Sequence, residues 1–199
     1  MQPDSVARPT VEAPRSGKRV RYLATAEETD GEYARFEMWL EPPPNSHGPM
    51  RHVHPEQDEY LAVEAGTLGV WHDGTSRRLG PGEDVTIPAG DPHRFWNAGE
   101  DELHLVGEVR PALDTELFMY VTYGLGRDFP ATSSGMPLNP LRLAPVVDEF
   151  DDLLFLAALP VWLQRLGVRA LAPIARLLGY DHVYPEYVPA GRRDALDVD

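Results

Sequence analysis

The 199-residue chain contains no cysteine, which excludes disulfides, thiolate metal sites and cysteine nucleophiles. A cysteine-free chain fits a reducing compartment, and a cytoplasmic location is expected. Lysine is almost missing as well. Lys18 is the only one, and the other cationic side chains, histidines aside, are arginines. Positive charge is outnumbered throughout: 18 Lys and Arg face 32 Asp and Glu, for a net charge of −14. Nucleic-acid binding needs clustered positive charge, so no nucleic-acid partner is expected. No run free of charge and proline reaches the roughly 18 apolar residues that a membrane helix needs. Met1 to Thr10 lack the basic-then-apolar order of a secretory leader. A membrane partner is not expected either.

Turn chemistry, by contrast, is plentiful. Twenty prolines and seventeen glycines point to short strands with many turns rather than to a helical protein. Arg19 to Thr25 reads as a first strand and Glu32 to Glu41 as a second. In the latter, Ala34, Phe36, Met38 and Leu40 alternate with Tyr33, Arg35, Glu37 and Trp39, the period of a half-buried strand. From Arg51 to about Tyr123, short apolar stretches alternate with turns at Gly66, Asp73-Gly74, Gly80-Pro81-Gly82, Pro88-Ala89-Gly90 and Gly99. That spacing belongs to an antiparallel sandwich or barrel. The chain divides into a flexible arm (1–17), a β-barrel (18–125), a loop and helical extension (126–180) and a tail (181–199) docked by Tyr184 and Tyr187. Within the extension, 127–145 reads as loop and 146–179 as helix. Asp148, Glu149, Asp151 and Asp152 sit at the expected helix N-terminus, and Gly179 is a plausible C-cap.

Two segments carry the chemistry. In the first, His52 and His54 are two residues apart, so a strand places both imidazoles on one face. Glu59 lies five residues further on, an odd offset, and joins them only if the chain bends between Pro55 and Asp58. If Glu59 faces inward, Leu61 and Val63 do too. In the second segment, Gly82 and Gly90 supply turns, and His93, Phe95 and Asn97 share one face of the strand that follows.

These segments resemble the paired motifs of the cupin superfamily. Gly48, His52, His54, Glu59 and Gly66 match the first motif, and Gly82, Pro88, Gly90, His93 and Asn97 match the second. Gly48 stands two residues nearer to His52 than is usual. The resemblance covers about residues 32–123. It implies an all-β, double-stranded β-helix (jelly-roll) barrel, here with a C-terminal α-helical extension. It also implies His52, His54, Glu59 and His93 as metal ligands. Three imidazoles and one carboxylate suit one divalent transition metal (Fe, Mn, Ni, Cu, Co or Zn) better than Ca or Mg. The family includes oxygenases that cleave flavonol, diketone or aromatic substrates. The expected activity is therefore a metal-dependent dioxygenase acting on a small enol- or phenol-type substrate, with Glu59 also a candidate catalytic base. The alternatives are a metal-dependent isomerase or lyase and a non-enzymatic binding or sensor protein. A homodimer is expected, with Tyr33, Trp39, Trp71 and Trp96 on the outer sheet where cupin dimers commonly pack.

Gln57, Glu56 and Asp58 read mainly as solvent-exposed bend residues. His72, His47 and His182 read as exposed, and His104 as a surface strand residue. Arg51 and Arg94 point away from the metal by strand parity. Val161 to Leu178 is an apolar helix on which Arg165, Arg169 and Arg176 form one stripe. It is expected to pack on the barrel or a second subunit, with a membrane-surface or lid role as the alternative.

Overall fold

The computed structural model describes residues 10–189. Eleven strands and three α-helices are found among them. The strands are β1 (Val11–Ala13), β2 (Lys18–Ala24), β3 (Ala34–Leu40), β4 (His52–Val53), β5 (Asp58–Ala65), β6 (Leu68–His72), β7 (Thr75–Leu79), β8 (Asp84–Ile87), β9 (His93–Asn97), β10 (Leu103–Arg110) and β11 (Phe155–Leu156). The helices are α1 (Thr115–Asp128), α2 (Pro140–Glu149) and α3 (Val161–Leu177). Two antiparallel sheets face each other. One has the order β1-β2-β3-β10-β5-β8 and the other β11-β4-β9-β6-β7.

Alternation decides which side chains meet between the sheets. On β3, Ala34, Phe36, Met38 and Leu40 are buried while Arg35 is exposed. On β5, Glu59, Leu61 and Val63 point inward together, as the expected bend requires. These residues join Val20, Tyr22, Leu68, Val70, Phe95, Leu103 and Leu105 in the main core. The outward aromatics are covered from within the chain. Arg19 and Arg21 lie over Trp39, Arg51 over Trp71, Arg94 over Trp96 and Arg110 over Tyr33. Cation–π stacking of this kind screens a ring from water at a surface.

Asn97 holds one end of the sandwich closed. Its Nδ2 donates to the carbonyls of Leu40 (3.0 Å), Glu41 (3.2 Å) and Asp101 (2.8 Å), and its Oδ1 accepts from the Gly99 amide (2.9 Å). Asn97→Ala strips these buried groups of their partner. A loss of about 2–4 kcal/mol is expected in equilibrium urea unfolding; a change within about 0.5 kcal/mol would show that the clamp is dispensable.

Three sequence expectations need correction. Residues 11–17 are no free arm: β1 pairs with β2, Val11 against Val20. Residues 1–9 lie outside the described residues, as do 190–199 of the expected tail. Second, the apolar stretch near Tyr123 is helix, not strand. α1 is sandwiched, with Tyr120 in the main core and Phe118, Val121 and Leu125 in a second cluster with Val146, Phe150 and Leu153. A helix buried on two sides shows no clean period. Third, helix begins at Pro140 rather than 146. Proline is favoured in the first turn, and Asn139 Oδ1 caps the amides of Leu141 and Arg142 (3.0 and 3.4 Å). The helix then stops at Glu149, and residues 150–160 form turns and β11, so Asp148 and Glu149 close one helix and Asp151 and Asp152 follow it, rather than all four opening another. Gly179 does follow α3 in a left-handed conformation (φ 83°), and Tyr184 and Tyr187 pack against the second cluster.

α3 packs chiefly against α2. Its arginines reach toward the end of that helix, where Arg176 pairs with Asp148 (2.9 Å) and Arg169 and Arg165 pair with Asp151 (3.0 and 3.6 Å). Ala172 and Ala175 are buried, and Trp162, Leu166, Ile174, Leu177 and Leu178 are exposed. Asp148 at the end of α2 and Asp151 just after it therefore account for the arginine stripe. No helix among the described residues is long and apolar enough to cross a membrane.

Candidate metal centre

Strand register brings the chemistry-bearing residues together. His52 on β4 lies directly across from His93 on β9. His54 follows β4 by one residue, and the chain then turns through residues 54–57 into β5, which carries Glu59. Glu59 pairs with Ile87 on one side and Val109 on the other. One sheet thus supplies the histidines and the other the carboxylate. Each of the four residues offers one ligand atom, and all of these lie within 4.8 Å of one another.

The turns that support this arrangement have physical causes. A Cβ on Gly48 would collide with the Phe95 carbonyl oxygen, so only glycine lets the segment before β4 lie against β9. The short spacing from Gly48 to His52 is thus accommodated by close backbone contact. Gly82 and Gly90 have φ of 83° and 84°, the left-handed region that glycine enters without strain.

Each imidazole is held by its Nδ1. The partners are the carbonyls of Met50 for His52 (2.8 Å), Leu153 for His54 (2.5 Å) and Asp91 for His93 (2.9 Å). A carbonyl can only accept, so each Nδ1 donates to it, and in the neutral ring Nε2 keeps its lone pair. This is the tautomer that a metal-binding histidine needs. Glu59 Oε2 and His93 Nε2 approach to 3.0 Å, yet neither buried atom has a hydrogen-bond partner in proper alignment. Two orphaned polar atoms beside two further imidazoles suit a shared cation, and the donor set suits a borderline divalent metal.

The electrostatics agree. Burial, reinforced by the neighbouring histidines, pushes His52 well below the ordinary imidazole range. Burial also lowers His54. Burial alone would raise Glu59, but His93, His54 and His52 outweigh it and hold the carboxyl at about 2. His93 is raised because Glu59 overcomes the effect of burial. Glu59 therefore stands ionised, with neutral imidazoles at His52 and His54.

The cluster opens into an apolar cavity whose empty volume, mouth included, is about 860 Å³. Barrel residues Phe36, Met38 and Phe95 line it, and so do Phe118 and Tyr123 of α1 and Leu154 and Leu156 near β11. Tertiary structure assigns a role here that composition did not reveal. The segment carrying Leu153 both orients His54 and, through Phe155 and Leu156, pairs with β4 beside the ligands.

Other candidates fall outside the cluster. Gln57 is buried, not exposed: its Nε2 donates to Pro111 O (2.8 Å), Ala112 O (3.1 Å) and Thr115 Oγ1 (2.9 Å), tying the bend to the start of α1. Asp58 accepts from the Ala89 amide. His72 is half-buried rather than exposed. It lies across from His93 but contacts Asp91 (2.9 Å). His104 stacks on Trp39 with ring centroids 4.8 Å apart. Lys18 lines the cavity, and no sequence argument singled it out as a site residue. The parity that it shares with Val20 and Tyr22 on β2 was the available clue.

A cupin domain model matches residues 38–107. "Oxidoreductase iacF" of the fungus Pestalotiopsis fici is 31% identical over 138 residues, covering 65% of this chain and 68% of that protein. The chain belongs to the cupin superfamily. Among its cupin relatives, "Probable oxidoreductase virH" of Hypocrea virens is 29% identical over 153 residues, covering 70% and 68%. Among solved cupin structures, an RmlC-like cupin from Shewanella frigidimarina superposes with a TM-score of 0.45 at 17% identity, over 54% of this chain and 86% of that one. This cupin has a cluster able to hold a metal ion, and its distant relatives are named oxidoreductases.

Proposed function

We propose that this cupin is a mononuclear metal-dependent oxidoreductase, a dioxygenase acting on a small enol- or phenol-type molecule. The observation that carries the reading is the convergence of three Nδ1-anchored imidazoles and one ionised carboxylate at an apolar cavity. His52, His54, Glu59 and His93 would hold the ion. A bound redox-active divalent metal would supply Lewis acidity toward the substrate oxygen and electron exchange with dioxygen. The chain supplies the rest. Backbone carbonyls fix the three imidazoles, and the apolar walls exclude water and pack the body of the substrate. A carboxyl held near 2 is a weak base at neutral pH. Glu59 is therefore assigned first as a ligand, and it would take the substrate proton only after leaving the ion. The naming of two relatives as oxidoreductases favours that class over an isomerase or lyase.

The test is oxygen consumption by purified protein loaded in turn with iron, manganese, nickel, copper or cobalt, across a panel of flavonols, diketones and catechols. Oxygen uptake with at least one pair, lost in His52→Ala, is expected. Turnover without oxygen would move the assignment to an isomerase or lyase. Binding with no turnover would move it to a ligand-binding cupin.

A further inference from the structure

The same cavity contains a cation that the metal chemistry does not use. Lys18, the only lysine in the chain, opens β2 with its side chain on the core face. It is 5% exposed. Its Nζ donates to the Ser134 carbonyl (2.9 Å) and lies 5.4 Å from the centre of the Tyr123 ring. Among the described residues no carboxylate forms an ion pair with it. Phe36, Met38, Tyr123 and the loop at Ser134 to Met136 surround it, and the cluster at His52, His54 and Glu59 lines the same space. A buried ammonium without an anion is costly, and the partner it lacks is a negative charge.

We propose that Lys18 is the anchor for the anionic group of the substrate, and that the site takes a small, largely apolar carboxylic acid. The inference rests on the proposed metal site for the other end of that molecule. The carboxylate would occupy the Lys18 end, held by Nζ beside Tyr123, and an enol or phenol oxygen would reach the metal cluster. Tyr123 separates the two ends: its ring lies under Lys18, and its hydroxyl, raised by burial, also feels the charge of Glu59. The aromatic and methionine walls between the ends select an apolar body. A charge-assisted hydrogen bond at one end of an apolar slot fixes orientation as well as affinity. Burial lowers Lys18 to about 8, which leaves it protonated at neutral pH.

The experiment uses an isosteric pair, 4-hydroxybenzoate and 4-hydroxybenzamide, titrated calorimetrically into the full chain both metal-free and zinc-loaded. Wild type is expected to bind the acid at least about tenfold more tightly than the amide. Lys18→Met should abolish that preference while leaving amide binding within about threefold and metal content unchanged. Lys18→Gln, which keeps a donor but no charge, should behave like Lys18→Met toward the acid. Equal binding of acid and amide by wild type, no binding of the acid, or equal binding of the acid by wild type and Lys18→Met would each overturn the assignment. The metal-free arm separates the two readings. A preference for the acid there, in protein that takes up no metal, supports Lys18 and removes the proposed oxygen chemistry. Metal uptake with no preference for the acid does the reverse.

Discussion

His93→Ala is expected to abolish stoichiometric metal binding, the largest single-residue effect in this protein. Elemental analysis of the wild type, purified without chelator, should give close to one transition-metal ion per chain. His93 pairs in register with His52 and is the histidine that meets Glu59 at 3.0 Å. Losing it leaves three donors, one of them a carboxylate without its nearest counterpart. Removing even an outer partner of a metal ligand costs roughly 10–100-fold in affinity, and losing the ligand itself costs more. Occupancy under about a tenth of the wild-type value is therefore expected after dialysis. His72→Ala is the control. That imidazole is the neighbour of His93 on β6 yet contacts Asp91 instead, so its loss should leave the metal in place. Full occupancy in His93→Ala, or no metal in the wild type under any loading condition, would dispose of the site. Iron, manganese, nickel or copper as the native ion would strengthen the oxygenase proposal, and zinc would weaken it.

The second large effect has the opposite sign. Lys18→Met should make the protein more stable at pH 7. Burial lowers Lys18 from 10.5 to about 8, which corresponds to about 3 kcal/mol against the charged form in the fold. Between pH 8 and 10.5 the unfolded chain binds this proton and the folded chain does not, so stability rises with pH across that window. The cost is fully present below about pH 8 and gone above about 10.5. Methionine matches the length of the side chain and carries no charge, but it leaves the Ser134 carbonyl without its donor. The net gain is accordingly expected at about 1–3 kcal/mol at pH 7, shrinking as pH approaches 10. Urea unfolding of both proteins at pH 7 and pH 10 measures it. A variant less stable than wild type at pH 7 would mean that Lys18 is structural. A gain would show a cation kept at the expense of folding, as binding residues often are.

The barrel strands were legible from local pattern because local geometry dictates them, and the motif resemblance named the four candidate ligands. Strand parity put His52 and His54 on one face and Leu61 and Val63 with Glu59, and glycine enters a positive-φ turn without strain, as at Gly82 and Gly90. Register did what parity could not. Nothing in the sequence says that His52 stands opposite His93, or that the bend brings Glu59 to them from the other sheet.

The C-terminal half resisted reading for a different reason. Its amphipathic faces answer to partners distant in sequence. α1 is apolar on two sides because two cores clasp it, and the arginines of α3 turn toward acids at and just beyond the end of α2. Gln57 is an ordinary bend residue until the start of α1 surrounds it. Lys18 is one charged residue at a strand end until the cavity closes around it. By itself the sequence determined the alternating strands and their turns, which follow from backbone periodicity and residue type, and its motif resemblance named the four residues able to hold a metal. Tertiary structure alone decided that Leu153 fixes His54, that α1 and the segment before α3 wall the pocket, and that a buried ammonium lines the same cavity as the four candidate ligands. Each of those depends on contacts between residues far apart in the chain, which no local pattern encodes.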